Sequence, residues 1–264
     1  LVAGTSVFVA EMGMNAEGRI RELSNWFPPD IAAITVIGEA HMERLGSKEA
    51  IFRAKAEITE KAPTVVLPID QSELRTLADK CARAKKTVIT VSAQGKKADI
   101  VLDPDLGTVK YGPQDQPSPM EIPPFGHGVN IAVALGIAWA LDVPKAEALA
   151  RLAHLPVADH RAQVGEITQG VAIIDDTYNS NPVGAQHAVT SGAQLAKKRK
   201  GPFVVVTPGM VELGPVQFER NKKLASSIVK AGGTLMIVGR TNRKALLLGA
   251  QGEASVFDSR PEAV

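Results

Sequence analysis

The chain has 264 residues, 45% of them hydrophobic and 22% charged, a composition that buries a sizeable core and excludes a disordered or collagen-like polymer. With 30 basic and 28 acidic residues the formal charge is +2, close to balance, and nothing in it demands nucleic acid or an anionic membrane as a partner. The longest apolar run, Ile131 to Leu141, falls far short of the ~20 residues that cross a bilayer, and neither membrane insertion nor nucleic-acid binding is expected.

Taken in order, short apolar runs alternate with helical patterns. Strands are expected at Val7 to Glu11, Ile31 to Ile37, Thr64 to Leu67 and Val88 to Val91, with helices near 17–24, 48–61 and 71–84. Such alternation implies parallel strands joined by right-handed crossovers. Ala98 to Leu102 and Gly107 to Tyr111 read as a short antiparallel addition, and the prolines at 113, 117, 119, 123 and 124 mark a connector rather than a central strand. An apolar helix then runs to Leu141, and another from Lys145 stops before Pro156. After the segment Pro156 to Arg161, a second alternating series begins: strands at Val171 to Asp175, Phe203 to Thr207, Leu235 to Gly239 and Ser255 to Asp258, with helices between. Cys81, the single cysteine, shares a helical stripe with Leu74, Leu77 and Ala78; it reads as a small core residue in a reducing compartment.

One helix carries an anomaly. Ser47 is suited to cap its start, and Ile51, Ala54, Lys55 and Ile58 fall at i, i+3, i+4 and i+7, which puts a lysine on the stripe that faces the core. Such a lysine snorkels to water along its aliphatic stem, loses its proton, or is modified. His41 follows the end of one expected strand and Glu11 ends another. In an open parallel sheet the carboxyl ends of strands form the ligand-binding edge.

Three strings, Glu11-Met12-Gly13, Ile37-Gly38-Glu39-Ala40-His41-Met42-Glu43 and Ala54-Lys55-Ala56-Glu57-Ile58, agree in order and spacing with the Mur ligases. The chain resembles most closely the branch of that family that adds D-alanyl-D-alanine to a UDP-muramoyl tripeptide. The resemblance implies that Lys55 is carbamylated, and that the carbamate, Glu11 and His41 hold magnesium beside the phosphates of ATP. A carbamate is an oxygen donor, the type that magnesium prefers.

Further matches extend the resemblance. Gly126-His127-Gly128-Val129-Asn130 is similar to the family's Gly-x-His-Asn-x-x-Asn-Ala, with His127 one position out of step, and implies that Asn130 bonds the adenine; a helix cap is the alternative role for Asn130. Arg161 stands where the family carries an arginine on the terminal phosphate, a task that suits a planar guanidinium, although His160 replaces the glycine that usually precedes it; a solvated linker arginine is the alternative role. Asp175-Asp-Thr-Tyr-Asn-Ser-Asn-Pro182 is the most specific string. It implies that Asp176 contacts the ribose and that Tyr178, Asn179 and Asn181 face the substrate cleft, whereas local chemistry alone predicts a polar turn after a strand. Met210-Val-Glu212-Leu-Gly214 matches the family's Met-x-Glu-Leu-Gly and brings Glu212 to the same cleft, but Gly209 stands where the family has an aspartate. By the resemblance this loop borders the cleft that receives the incoming amine.

The fold implied is α/β: residues 1–156 as part of a P-loop-type central ATPase domain with a mostly parallel sheet, and 157–264 as part of a Rossmann-like C-terminal domain. The triphosphate-binding loop Gly-x-x-x-x-Gly-Lys-Ser/Thr is missing, since Gly95-Lys96-Lys97 lacks both the earlier glycine and the hydroxyl residue. By the resemblance that loop precedes Glu11, so the chain is expected to be a piece of a longer protein and inactive alone. The whole protein is expected to be a monomeric cytoplasmic ligase. Folylpolyglutamate or cyanophycin-type ligases of the same superfamily are the alternatives, as is a non-catalytic homologue lacking the phosphate loop.

Overall fold

The computed structural model describes residues 4–39, 42–120, 127–152, 154, 163–167, 170–178 and 180–263. Its first elements are α1 (Arg19–Trp26), β1 (Ile31–Ala33), α2 (Met42–Leu45), α3 (Lys48–Ala56), β2 (Thr64–Pro68), α4 (Ser72–Arg83) and β3 (Thr87–Ser92). Then come β4 (Ile100–Asp103), β5 (Thr108–Tyr111), β6 (Ser118–Pro119), α5 (Gly128–Ala140), α6 (Lys145–Leu152), β7 (Gln163–Ile167) and β8 (Val171–Asp175). The last are α7 (Pro182–Arg199), β9 (Val204–Thr207), α8 (Gln217–Lys230), β10 (Thr234–Val238), α9 (Arg243–Gly249), β11 (Ala254–Phe257) and α10 (Arg260–Ala263). Two compact units form, one from the described residues of Leu1–Ile37, Ser47–Ile122 and His127–Leu149, the other from those of Gly38–Gly46 and Ala150–Val264.

In the first unit the described strands lie in the order β1-β2-β3-β4-β5-β6, parallel from β1 to β4 and antiparallel thereafter. Val65, Val66 and Leu67 of β2 are all fully buried. Successive strand residues point to opposite faces, so both faces must be covered, and α4 and α5 both pack on β2 and β3. Gly136 allows the approach of α5, because a Cβ there would stand 2.7 Å from Val66 Cγ1 and 2.9 Å from Val91 Cγ1.

The stretch from Val7 to Glu11 is not the strand expected from its residues. It has no ladder partner among the described residues, and Val7, Phe8 and Val9 are 50%, 61% and 82% exposed. Apolar alternation marks a segment able to join a sheet, but a strand exists only where a neighbour supplies the hydrogen bonds. The helix expected over 48–61 divides into α3 and a 3₁₀ turn, Glu57–Thr59. The buried Glu57 carboxylate accepts from Gly18 N (2.6 Å) and Arg21 N (3.0 Å). It caps the start of α1, whose own N-cap, Gly18, has no side chain to do so. Glu57→Ala leaves these amides without an acceptor and is expected to destabilise the first unit by roughly 2–4 kcal/mol, read as a lower urea midpoint at constant slope; a loss under about 0.5 kcal/mol would show that water replaces the carboxylate.

The second unit holds the described parallel sheet β11-β10-β9. Its core gathers Leu224, Ala225, Ile228, Leu235, Ile237 and Leu246, and α8 packs on α7, α9 and β10. Here too the structure departs from expectation. β8 does not open the parallel series. Among the described residues it pairs only with β7, antiparallel from Gln163↔Asp175 to Ile167↔Val171. The valine and isoleucine content of β8 suits either pairing, and the choice belongs to the neighbour.

Candidate active site

At the carboxyl end of the parallel sheet the chain runs on from β1, with Ile34 N still donating to Val66 O. The Lys55 ammonium, on α3, donates to Val36 O at 2.7 Å. Ile51 and Ala54 beside it are buried, and burial lowers the Lys55 pKa below the ordinary lysine value, because desolvation penalises the charged form. The nitrogen is therefore held on the segment that follows β1 instead of snorkelling freely, and its uncharged fraction, the form that takes up carbon dioxide, is raised. Ser47 caps α3 through Oγ, which accepts from Ala50 N at 3.1 Å.

The neighbouring strand ends are tied together. Asp70, just beyond β2, accepts from Ser92 Oγ and Ala93 N, both at 2.8 Å, and a Cβ on Gly128 at the start of α5 would lie 3.4 Å from Ala93 Cβ. Asn130 is thus on the first turn of α5 near this edge, and it is exposed. The helix begins earlier than its apolar run suggests: His127 is the N-cap and Asn130 the third helical residue, so the capping role falls away and the Asn130 side chain is left to other uses. Glu11 is exposed in the extended stretch. His41, Arg161 and Asn179 lie outside the described residues. Among the described residues no three His, Cys, Asp or Glu side chains form a group able to hold a metal ion.

In the second unit, Asp175 Oδ1 accepts from Thr177 N (3.1 Å) and Thr177 Oγ1 (2.7 Å), forming the polar turn after β8. Asp176 follows, half-buried, and Tyr178 is 66% exposed. Asn181 caps α7, its Oδ1 accepting from Val183 N and Gly184 N. Glu212 has φ +61°, and its carbonyl accepts from Glu43 N at 3.3 Å. Arg220 on α8 holds the carboxylate of Glu39 through both Nε and a terminal nitrogen. Glu39 and Glu43, two residues before and two after His41 in sequence, are thereby fastened. A cleft beside Glu212 is lined by Glu43, Phe218, Thr241 and Lys244.

The Thr207–Gly214 loop rests on two amides that the motif does not contain. Asn221, fully buried, accepts from Met210 N (2.7 Å) and donates to Met210 O (2.9 Å) and Gln217 O (2.9 Å). Asn242 donates to Pro208 O (3.1 Å) and Met210 O (3.0 Å). Gly209 has φ +80°, and a Cβ there would stand 2.5 Å from Asn221 Oδ1 and 2.9 Å from Asn242 Nδ2. The amides occupy the space an aspartate side chain would need. The signal for Asn221 was present in the sequence, since it shares the helical stripe of Leu224, Ala225 and Ile228.

The family model described as the Mur ligase middle domain matches residues 1–136, about half of the chain. The chain belongs to the Mur ligase family. Among curated relatives, this Mur ligase chain is 32% identical over 228 residues to the UDP-N-acetylmuramoyl-tripeptide–D-alanyl-D-alanine ligase of Bacillus subtilis, covering 85% of the chain and 49% of the relative. It is 26% identical to the enzyme of the same name from Mycobacterium leprae, covering 98% of the chain and 57% of the relative. The chain thus spans about half the length of these relatives. Among solved structures it is similar to MurF from Acinetobacter baumannii, with a TM-score of 0.78 at 24% identity over 95% of this chain and 55% of that one. A MurF ligase from Thermotoga maritima in complex with ADP gives 0.73 at 23% identity over 96% and 58%. The α/β architecture, with its mostly parallel strands, is that of these ligases.

Proposed function

We propose that the full-length protein containing this chain is an ATP-dependent amide ligase of peptidoglycan precursor synthesis that joins D-alanyl-D-alanine to a UDP-N-acetylmuramoyl tripeptide. The observation that carries the reading is the Lys55 nitrogen, half-desolvated and held on Val36 O three residues beyond β1, together with the names of the curated relatives. The donor chemistry fits: an uncharged amine there becomes, on taking up carbon dioxide, a carbamate whose oxygens suit magnesium.

In this reading Lys55 as its carbamate, Glu11 and His41 hold Mg²⁺. The ion supplies charge neutralisation at the phosphates of ATP. Asn130 binds the adenine, Asp176 the ribose, and Arg161 the transferred phosphoryl group. The substrate carboxylate attacks the terminal phosphorus of ATP, ADP leaves, and an acyl phosphate forms. The dipeptide amine then attacks the acyl carbon, phosphate departs with the bonding pair, and the amine gives up a proton. Positioning carries much of such a reaction, and Tyr178, Asn179, Asn181 and Glu212 are assigned to the peptide side of the cleft. A monomeric enzyme acting in the cytoplasm on small molecules completes the proposal; no helix among the described residues is long and apolar enough to cross a membrane.

The test uses the full-length protein with ATP, Mg²⁺ and UDP-N-acetylmuramoyl tripeptide against a panel of amines, following phosphate release and product mass. Amide formation with D-alanyl-D-alanine is the expected result. Product with another amine alone would keep the chemistry and move the substrate. That second reading is favoured by Gly209, where the loop beside the cleft loses its acidic group. Absence of ATP turnover with every amine would leave a non-catalytic homologue.

A further inference from the structure

The β1–β2 ladder stops early for a covalent reason. The register Ala33↔Val66, carried forward, sets Thr35 opposite Pro68, which has no N–H to donate. Ile37 lies beyond that break and is buried, 1% exposed, so its backbone groups need other partners. Gln71 supplies both. Its Oε1 accepts from Ile37 N at 2.9 Å and its Nε2 donates to Ile37 O at 3.0 Å. A side-chain amide offers a coplanar donor and acceptor, and here it substitutes for the missing strand neighbour.

The Ile37 N–H and the Val36 carbonyl belong to one planar peptide unit and point in opposite directions. Gln71 therefore grips from one side the same peptide group that receives the Lys55 ammonium on the other, at 2.7 Å. Hydrogen bonds at the two ends of a peptide polarise one another. The second bond, to Ile37 O, fixes the next peptide, where Gly38 begins the loop toward His41. We infer that Gln71 is a positioning residue of the Lys55 site, setting the place of the lysine nitrogen through the Val36–Ile37 peptide. This inference rests on the proposed role of Lys55 for its bearing on catalysis, but its geometry is tested separately.

The test is trace acetylation of the full-length protein in carbon dioxide-free buffer, with Lys55 modification read by peptide mass spectrometry relative to Lys86 and Lys97 of the same molecule. Gln71→Leu removes both bonds and is expected to raise the Lys55 ratio about fivefold, as expected for losing roughly one net hydrogen bond's worth of restraint. Should the leucine variant not fold, Gln71→Asn, whose amide falls one methylene short, is expected to show the same rise. In turnover, Gln71→Leu is expected to lower kcat with KM for ATP unchanged. A Lys55 ratio unmoved in the leucine and asparagine variants, or all lysines rising together, overturns the inference. Failure of the metal-site reading appears differently, as full turnover in a protein without Lys55, and leaves the labelling ratio to decide on Gln71.

Discussion

Lys55→Ala in the full-length protein is expected to lower kcat on the order of a thousandfold, in the range seen when one preorganised group that neutralises transition-state charge is removed. The variant has an uncomplicated structural consequence, because the lysine stem is half-buried at a helix surface and its one described bond is to Val36 O. Folding is expected to survive, and any fall in turnover then reports chemistry. Short carboxylic acids are expected to restore part of the rate by entering the space vacated by the side chain and returning an oxygen donor. Mass measurement of the wild-type protein under bicarbonate is expected to find one extra carboxyl group on Lys55. A variant with full activity would remove Lys55 from the mechanism. Loss of rate without rescue and without the added mass would keep the residue but discard the carbamate.

Gly209→Asp is expected to destabilise the second unit by roughly 3 kcal/mol or more, although it restores the residue that the family motif carries. The new side chain must adopt φ near +80° and place its Cβ 2.5 Å from Asn221 Oδ1. Its carboxylate would then crowd an amide oxygen already committed to Met210 N, at a site where Gly209, Met210, Asn221 and Asn242 are all buried and an unpaired charge is costly. Urea unfolding monitored by a probe confined to the second unit checks the loss. Adding Asn221→Ala opens the space and is expected to recover at least about 1 kcal/mol of coupling between the two sites. Stability of Gly209→Asp within about 0.5 kcal/mol of wild type would show that the loop relaxes freely and that its glycine is not required by the buried amides.

The sequence by itself determined what local periodicity and motif spacing can carry: the α/β alternation, the Ser47 cap of α3, the stripe that makes Lys55 anomalous, and the family strings at residues 37–43, 54–58 and 175–182. These were legible because helix and strand periods, caps and motifs are written in residues close along the chain. Tertiary structure decided the rest. Val7 to Glu11 has the residues of a strand but no described neighbour to pair with, and β8 pairs with β7 instead of joining β9. Glu57 caps a helix 36 residues earlier in sequence, and Gln71 closes on Ile37 across 34 residues. The Asn221 and Asn242 amides fill the space beside Gly209 that a side chain would need. Each of these depends on which backbone group is left without a partner once the elements pack, and that deficit comes into being only in the folded chain.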